Sequence, residues 1–501
     1  MRVQITEVAA PGSPESLVER LGGEAGVVLL RSGQFDPFQG RYSFVTARPF
    51  LTLRADGSRC ELHDGHTSRW HFGDPWRVLD SLMGRFELLD EADLPFPLGG
   101  CFGCWGYDLK NFLEPRLTRR AANDLELPDC YAGFHDSLVA FDHALGKAWI
   151  VSTGMTPDGS RSARQAREAT EFWQTKLAAS DRQGPSVDEA IASARETSLR
   201  RGGSAEPRRS SNLSRAAFIA AVERAQRYIR AGDIYQVNLS QRLTAPLPAS
   251  GWELFQRLSA VSPAPFAAYL DGGGFQLASS SPELFLKLSG GQILTRPIKG
   301  TRPRAAEPDR DAQLSYELQT SPKELAELVM ITDLLRNDLG RVCEFGSVRV
   351  PELARLERFS HVQHLVSTVE GRLRPEVTHL AALAACFPGG SITGAPKIRA
   401  MEIIDELEPT TRGPYTGCLG YLGFNRESQF SITIRTAICL GGAAHFHVGA
   451  GIVADSNPEA EYEETLAKAG GFEAALGWQE ERGVLNAAEG EDVKRKTENV
   501  K

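Results

Sequence analysis

The chain has 501 residues, enough for one very large domain or two to three ordinary ones around a sizeable core. Hydrophobic residues at 42% and charged residues at 24% exclude a disordered or membrane-embedded chain, and 56 basic against 64 acidic side chains give −8, which excludes the basic surface of a nucleic-acid or anionic-membrane binder. Residues 1–22 lack the basic-then-apolar pattern of an export signal and no run of about 18 apolar residues occurs, so a cytoplasmic chain without a membrane span is expected.

Residues 1–155 alternate short apolar runs with turn residues, for example Val27 to Leu30 and Ala148 to Val151, and are predicted to form a strand-rich N-terminal region. Cys101 and Cys104 are the one close pair among eight cysteines. A zinc site needs two more ligands at usual spacing, so two half-buried thiols are expected. Residues 156–212 shift to Ser, Arg, Gly and Gln, and Arg200, Arg201, Gly202 and Gly203 read as flexible linker, with one helix near Ala166 to Leu177. Residues 213–477 mix helices and strands, and Ser214 caps an amphipathic helix with Phe218, Val222, Ala225 and Ile229 on one face. Residues 478–501 are a charged tail.

Five elements of the third region carry polar groups at telling spacings. Lys299 lies between Pro297 and Gly300; a free lysine amine is a poor nucleophile, and burial or a nearby cation improves it. Ser321, Pro322 and Glu324 form a capping box that starts a helix ending near Gly340, with Glu324 and Glu327 on one face. Glu327 sits among apolar residues and needs a partner. The glycine-rich stretch from Phe387 to Lys397 precedes another helix; an anion site at that helix start and a plain tight turn both fit. A strand over 430–435 would turn Ser431, Thr433 and Arg435 to a polar face, where Arg435 could clamp a carboxylate or simply lie in water. Gly449 and Gly451 in the next strand mark a bulge or a ligand lying against the backbone. Glu461, Glu464 and Lys468 share one helix face, either as a solvated ion pair or, with the first carboxylate helix, as a site for Mg²⁺.

Taken together the segments resemble the chorismate-utilising enzyme family, which includes anthranilate, aminodeoxychorismate, isochorismate and salicylate synthases. The resemblance is carried by Ser280 to Glu283, PIKGTRPR from Pro297, AELVMITDLLRNDLGRV from Ala326, FSHVQHLVSTVEG from Phe359, FPGGSITGAPKIRAMEIIDELEP from Phe387, SITIRT from Ser431 and GAGIVADSNPEAEYEET from Gly449. It implies an α+β fold like that of anthranilate synthase component I, with antiparallel sheets packed as a sandwich and helices outside. It also implies Glu327 and Glu464 as Mg²⁺ ligands beside Glu324 and Glu461. Chorismate-binding positions would be Gly300, Thr301, His364, Tyr415, Arg435, Gly449, Ala450, Gly451 and Lys468. Glu283 matches the acid that protonates the departing 4-hydroxyl. Ser32, Gln39, Gly40, Arg41, Tyr42, Pro265, Phe266 and Ala267 match a tryptophan pocket of relatives, though strand packing explains them equally.

Within the family, water users place a basic lysine where this chain has Gln236, so an ammonia user is implied. Lys299, where anthranilate synthases usually carry alanine, makes the chain similar to the aminodeoxychorismate branch, with Lys299 attacking chorismate covalently. No glutaminase signature is present, so a separate glutamine amidotransferase subunit is the expected ammonia source. The competing readings are an anthranilate synthase component I and a non-catalytic chorismate- or tryptophan-binding regulatory subunit.

Overall fold

The computed structural model describes residues 2–9, 11–32, 40–89, 91, 93–179, 209–359 and 362–477. Two twelve-stranded sheets form the centre of the molecule. One runs from Gln4–Ala9 at its edge through Val28–Arg31, Phe266–Asp271, Gln276–Ser281, Thr436–Leu440 and Ala443–Ile452 to Gln236–Pro246. The other runs from Ile298–Pro303 through Val362–Arg372, Leu284–Ser289, Glu427–Ile432 and Cys418–Gly423 to Gly100–Trp105 and the edge strand Ser68–Phe72.

The sheets pack face to face. Phe44, Leu138, Ala268 and Leu277 of the first meet Phe102, Leu419 and Tyr421 of the second in one buried cluster. Helices cover the outer faces, as the sandwich expectation requires. Leu17, Trp173, Leu254 and Phe472 close over the first sheet, and Trp76, Leu79, Ile331 and Leu335 over the second. This layering follows from the sequence: each strand buries one face on the partner sheet and the other under an amphipathic helix.

Three local outcomes bear on the sequence reading. The helix expected near Ala166 to Leu177 forms as Ala163–Ala178 and is packed rather than loose: its Trp173 is fully buried and donates its indole N–H to Ser137 Oγ at 3.1 Å. Residues 180–208 and the charged tail lie outside the described residues. Second, Cys101 and Cys104 are buried on strand Gly100–Trp105 in different clusters, one under the outer helices and one between the sheets. Positions i and i+3 of a strand point to opposite faces, so the pair cannot ligate one ion. Third, strand pairing crosses the predicted regional boundary twice: Val28–Arg31 pairs with Phe266–Asp271, and Gly100–Trp105 with Cys418–Gly423. The strands of 1–155 and of 213–477 therefore share both sheets.

Candidate active site

A cavity of about 610 Å³ opens where the two sheets and the two carboxylate helices meet. Helix Pro322–Gly340 buries Leu328, Ile331, Leu335 and Leu339 on one side, which turns Lys323, Glu324 and Glu327 to the cavity on the other. Ser321 Oγ caps the first turn by accepting from the Glu324 N–H at 3.4 Å. The reciprocal half of the predicted capping box is not formed, because the Glu324 carboxylate faces Arg302 Nη1 at 3.4 Å. Helix Pro458–Ala475 brings Glu461, Glu464 and Lys468 to the same cavity from the opposite side.

Lys299 lies between these helices. Its Nζ is 3.9 Å from Glu327 Oε2, and burial pushes the amine below the usual lysine range, opposed by the charges of Glu327 and Glu283. Glu283 follows strand Gln276–Ser281 and is buried; the loss of solvation raises its carboxyl to about 7, against a hydrogen bond from Ser391 and the charge of Lys299. A buried acid poised near neutrality beside an amine held below its normal range is the pairing expected of proton transfer and nucleophilic attack.

Gly300 has φ +65°, and a Cβ there would come within 2.6 Å of Leu318, so this turn tolerates glycine best. The turn presents Thr301, whose Oγ1 is 2.9 Å from His364 Nδ1. Burial drives His364 down to about 4, so its ring is neutral at pH 7. Tyr415 lies flat on His447, centroids 4.9 Å apart at 11°. Gly449 and Gly451 sit in an unbroken register against Ser240 and Asn238. The predicted bulge is therefore absent, and the glycines serve close approach instead: Cβ atoms would fall 2.8 Å from the Tyr415 hydroxyl and 2.5 Å from the Gln236 amide. Ala450 points the other way into a separate buried cluster with Val237 and Ile403, so its side chain is not on the wall. Lys468 Nζ donates to the Gly449 carbonyl at 2.7 Å and pairs with Glu464 at 2.8 Å.

Arg435 needs correction. The strand ends at Ile432, and Arg435 lies in the bend before Thr436 with φ +50°. Burial lowers its guanidinium, and no carboxylate of the described residues pairs with it. With no carboxylate partner among the described residues, this half-buried guanidinium on the cavity wall could meet an anionic ligand. The glycine-rich stretch resolves toward the turn reading. Gly394 and Ala395 bridge to Val237 and Gln236, and a Cβ on Gly394 would strike the Gln236 carbonyl at 2.2 Å. At the start of helix Lys397–Leu407, Lys397 turns to Asp338 at 2.6 Å, and only Ser391 and Ile392 of the stretch reach the cavity.

The four glutamates suit a hard cation. Glu327 and Glu461 are both raised, first by burial; the charge of Glu464 adds to each, and Glu324 adds to Glu327. A divalent ion would relieve that repulsion. Among the described residues no three acidic or imidazole side chains converge on one point. An ion held here would need water and ligand oxygens to complete its shell.

Asn238, Lys323, Ser391 and His447 also line the cavity and were missed by sequence reasoning. Lys323 was findable, one helical turn before Glu327. Asn238 and His447 arrive through strand pairing across some two hundred positions, which no local pattern announces. The tryptophan-pocket residues Ser32, Tyr42, Pro265, Phe266 and Ala267 do come together, around about 30 Å³. That is room for about one water rather than an indole. Ser32 Oγ donates to the Gly40 carbonyl at 2.5 Å, Arg41 pairs with Asp142 at 2.6 Å, and Gln39 lies outside the described residues.

A family described as chorismate binding enzyme matches residues 39–473. The chain belongs to that family. It is 38% identical over 455 residues to aminodeoxychorismate synthase component 1 of Bacillus subtilis, covering 91% of this chain and 92% of that protein. It is 43% identical over 461 residues to anthranilate synthase component 1 of Thermus thermophilus, covering 91% and 94%. The crystal structure of anthranilate synthase component I from Streptococcus pneumoniae TIGR4 superposes with a TM-score of 0.74 at 28% identity, covering 94% of this chain and 99% of that one. The fold is thus that of anthranilate synthase component I, and the chain is a chorismate-utilising enzyme. Among the described residues no helix is long and apolar enough to cross a membrane.

Proposed function

We propose that the enzyme aminates chorismate at C4 with ammonia, giving 4-amino-4-deoxychorismate on a route to 4-aminobenzoate and folate. The observation that carries this reading is the half-buried Lys299 amine, 3.9 Å from Glu327 and sharing the cavity with the poised acid Glu283. The neutral Lys299 Nζ forms a bond to C2 of the ring. The double-bond electrons shift, the C4–O bond breaks, and Glu283 gives its proton to the departing hydroxyl, which leaves as water. Ammonia then bonds to C4 and returns a proton to Glu283, the electrons shift back, and the C2–N bond to Lys299 breaks, releasing the neutral amine. The net exchange is one ammonia in and one water out. Arg435, Thr301 with His364, and the Gly449 backbone with Lys468 are the groups proposed to hold the substrate carboxylates and ring.

Glu327 and Glu464, supported by Glu461 and Glu324, would hold Mg²⁺. When bound, the ion supplies positive charge to a substrate carboxylate. Glu327→Gln or Glu464→Gln should raise the Mg²⁺ concentration for half-maximal rate by about 10- to 100-fold. An unchanged Mg²⁺ titration would remove that residue as a ligand.

The nitrogen would come from a glutamine amidotransferase subunit. A thiolate route to ammonia from glutamine has no ready nucleophile within this chain, since all eight cysteines are buried. Burial raises Cys60 and Cys343 to about 11 and Cys104 and Cys439 to about 12.

Relatives named anthranilate synthase component 1 are as similar as those named aminodeoxychorismate synthase component 1. That favours one second reading, amination at C2 with loss of pyruvate. Incubation with chorismate, Mg²⁺ and ammonium decides between them. An aminated product without pyruvate is expected; fluorescent anthranilate with one pyruvate per turnover would establish the rival. Chorismate binding without any turnover would establish a regulatory subunit.

A further inference from the structure

Arg412 does not touch the cavity, yet three stretches of its wall are fixed to it. The side chain is 1% exposed and that of its partner Glu408 is 4% exposed. All five N–H groups of the guanidinium are used. Nε donates to Glu408 Oε2 at 2.9 Å, and Nη2 donates to Glu408 Oε1 and to the Asn238 carbonyl, both at 2.7 Å. Nη1 donates to the Ile392 carbonyl and to Thr416 Oγ1, both at 3.2 Å. Glu408 in turn accepts from the N–H and hydroxyl of Ser240 at 2.8 and 2.9 Å.

Asn238, Ile392 and Tyr415 all line the cavity, and each is either bonded to this guanidinium or next to a residue that is. The Arg412 guanidinium also lies 5.6 Å from the Tyr415 ring centroid and 4.8 Å from that of Tyr107. The Tyr415 hydroxyl and Asn238 Oδ1 both face Gly449, where a Cβ would come within 2.8 and 3.2 Å of them. Thr416, at φ +60°, donates its N–H to the Thr433 carbonyl at 2.8 Å, two residues before Arg435. One planar, five-donor group therefore sets the spacing between strand Gln236–Pro246, the turn at 390–392 and the turn bearing Tyr415. A lysine cannot replace it, having three donors and no fork.

We propose that Arg412 is a positioning residue for the substrate, acting through Tyr415 and Asn238 without contacting the ligand. The proposal rests on the cavity being the chorismate site. The test is a double-variant cycle on chorismate affinity, measured by calorimetry with Mg²⁺ and no nitrogen donor, for wild type, Arg412→Lys, Tyr415→Phe and the pair together. Thermal unfolding is recorded for each. Arg412→Lys should weaken binding about tenfold or more, and adding Tyr415→Phe should then weaken it no further, because the tyrosine is already displaced. Binding within about twofold of wild type, or two losses that simply add, would overturn the proposal. If Arg412→Lys does not fold, the paired change Glu408→Gln with Arg412→Gln strands no charge and the same cycle is read on it. If that variant also fails to fold, Arg412 serves the whole fold and the proposal is wrong. A wild-type enzyme that does not bind chorismate would instead sink the reading of the cavity.

Discussion

Lys299→Ala should lose covalent capture of the substrate completely and slow amination by roughly three orders of magnitude or more, while chorismate still binds. The expectation follows from where the amine sits. It lies between two carboxylate helices, in a cavity whose burial favours the neutral, nucleophilic form. Alanine removes the proposed attacking atom and leaves the groups proposed to receive the anion, Arg435 and the Gly449 strand with Lys468, in place. Glu327 loses its nearby cation, so Mg²⁺ should bind no more weakly than before. Mass spectrometry of quenched enzyme and chorismate checks the adduct, and calorimetry checks binding. A variant that turns over at the full rate would remove Lys299 as nucleophile. One that no longer binds chorismate would assign it to binding instead.

Glu283→Gln should cost about 10²- to 10⁴-fold in rate, the usual contribution of a positioned general acid. The wild-type profile carries the sign of the same group. Burial raises the Glu283 carboxyl to about 7, so below that pH it holds the proton it must deliver. As pH rises through about 7 that proton is lost and kcat/KM should fall. Lys299 works in the other sense, since its neutral form grows as pH rises, and the two together give a bell-shaped profile. A profile that keeps climbing well above neutrality would mean that Glu283 is not the acid.

Helix by helix, much of this site was legible in the sequence. Ser321 and Pro322 announced a helix start, and the spacing of Glu324 and Glu327, like that of Glu461, Glu464 and Lys468, placed carboxylates on one face because helical geometry is local. Arg435 was legible as a residue but not as a structure. The apolar–polar alternation through Phe430 and Ile432 continues past the point where the chain leaves the sheet, so a period-two pattern overran the strand end. Asn238, His447 and the Arg412 network depend on which distant strands lie side by side. Periodicity cannot supply that order. The same holds for the seam between the first 155 residues and the rest, since hydrogen-bonding partners across a sheet leave no mark on either strand alone.

That seam has a practical meaning for anyone cutting the gene. Phe266–Asp271 and Cys418–Gly423 would each lose a neighbour if the catalytic two-thirds were produced alone. Bare backbone amides and the apolar inner faces of both layers would be laid open together, a recipe for clumping rather than for a minimal catalyst. The two portions are better thought of as warp and weft: supplied as separate polypeptides in one cell, they should find each other or fail together.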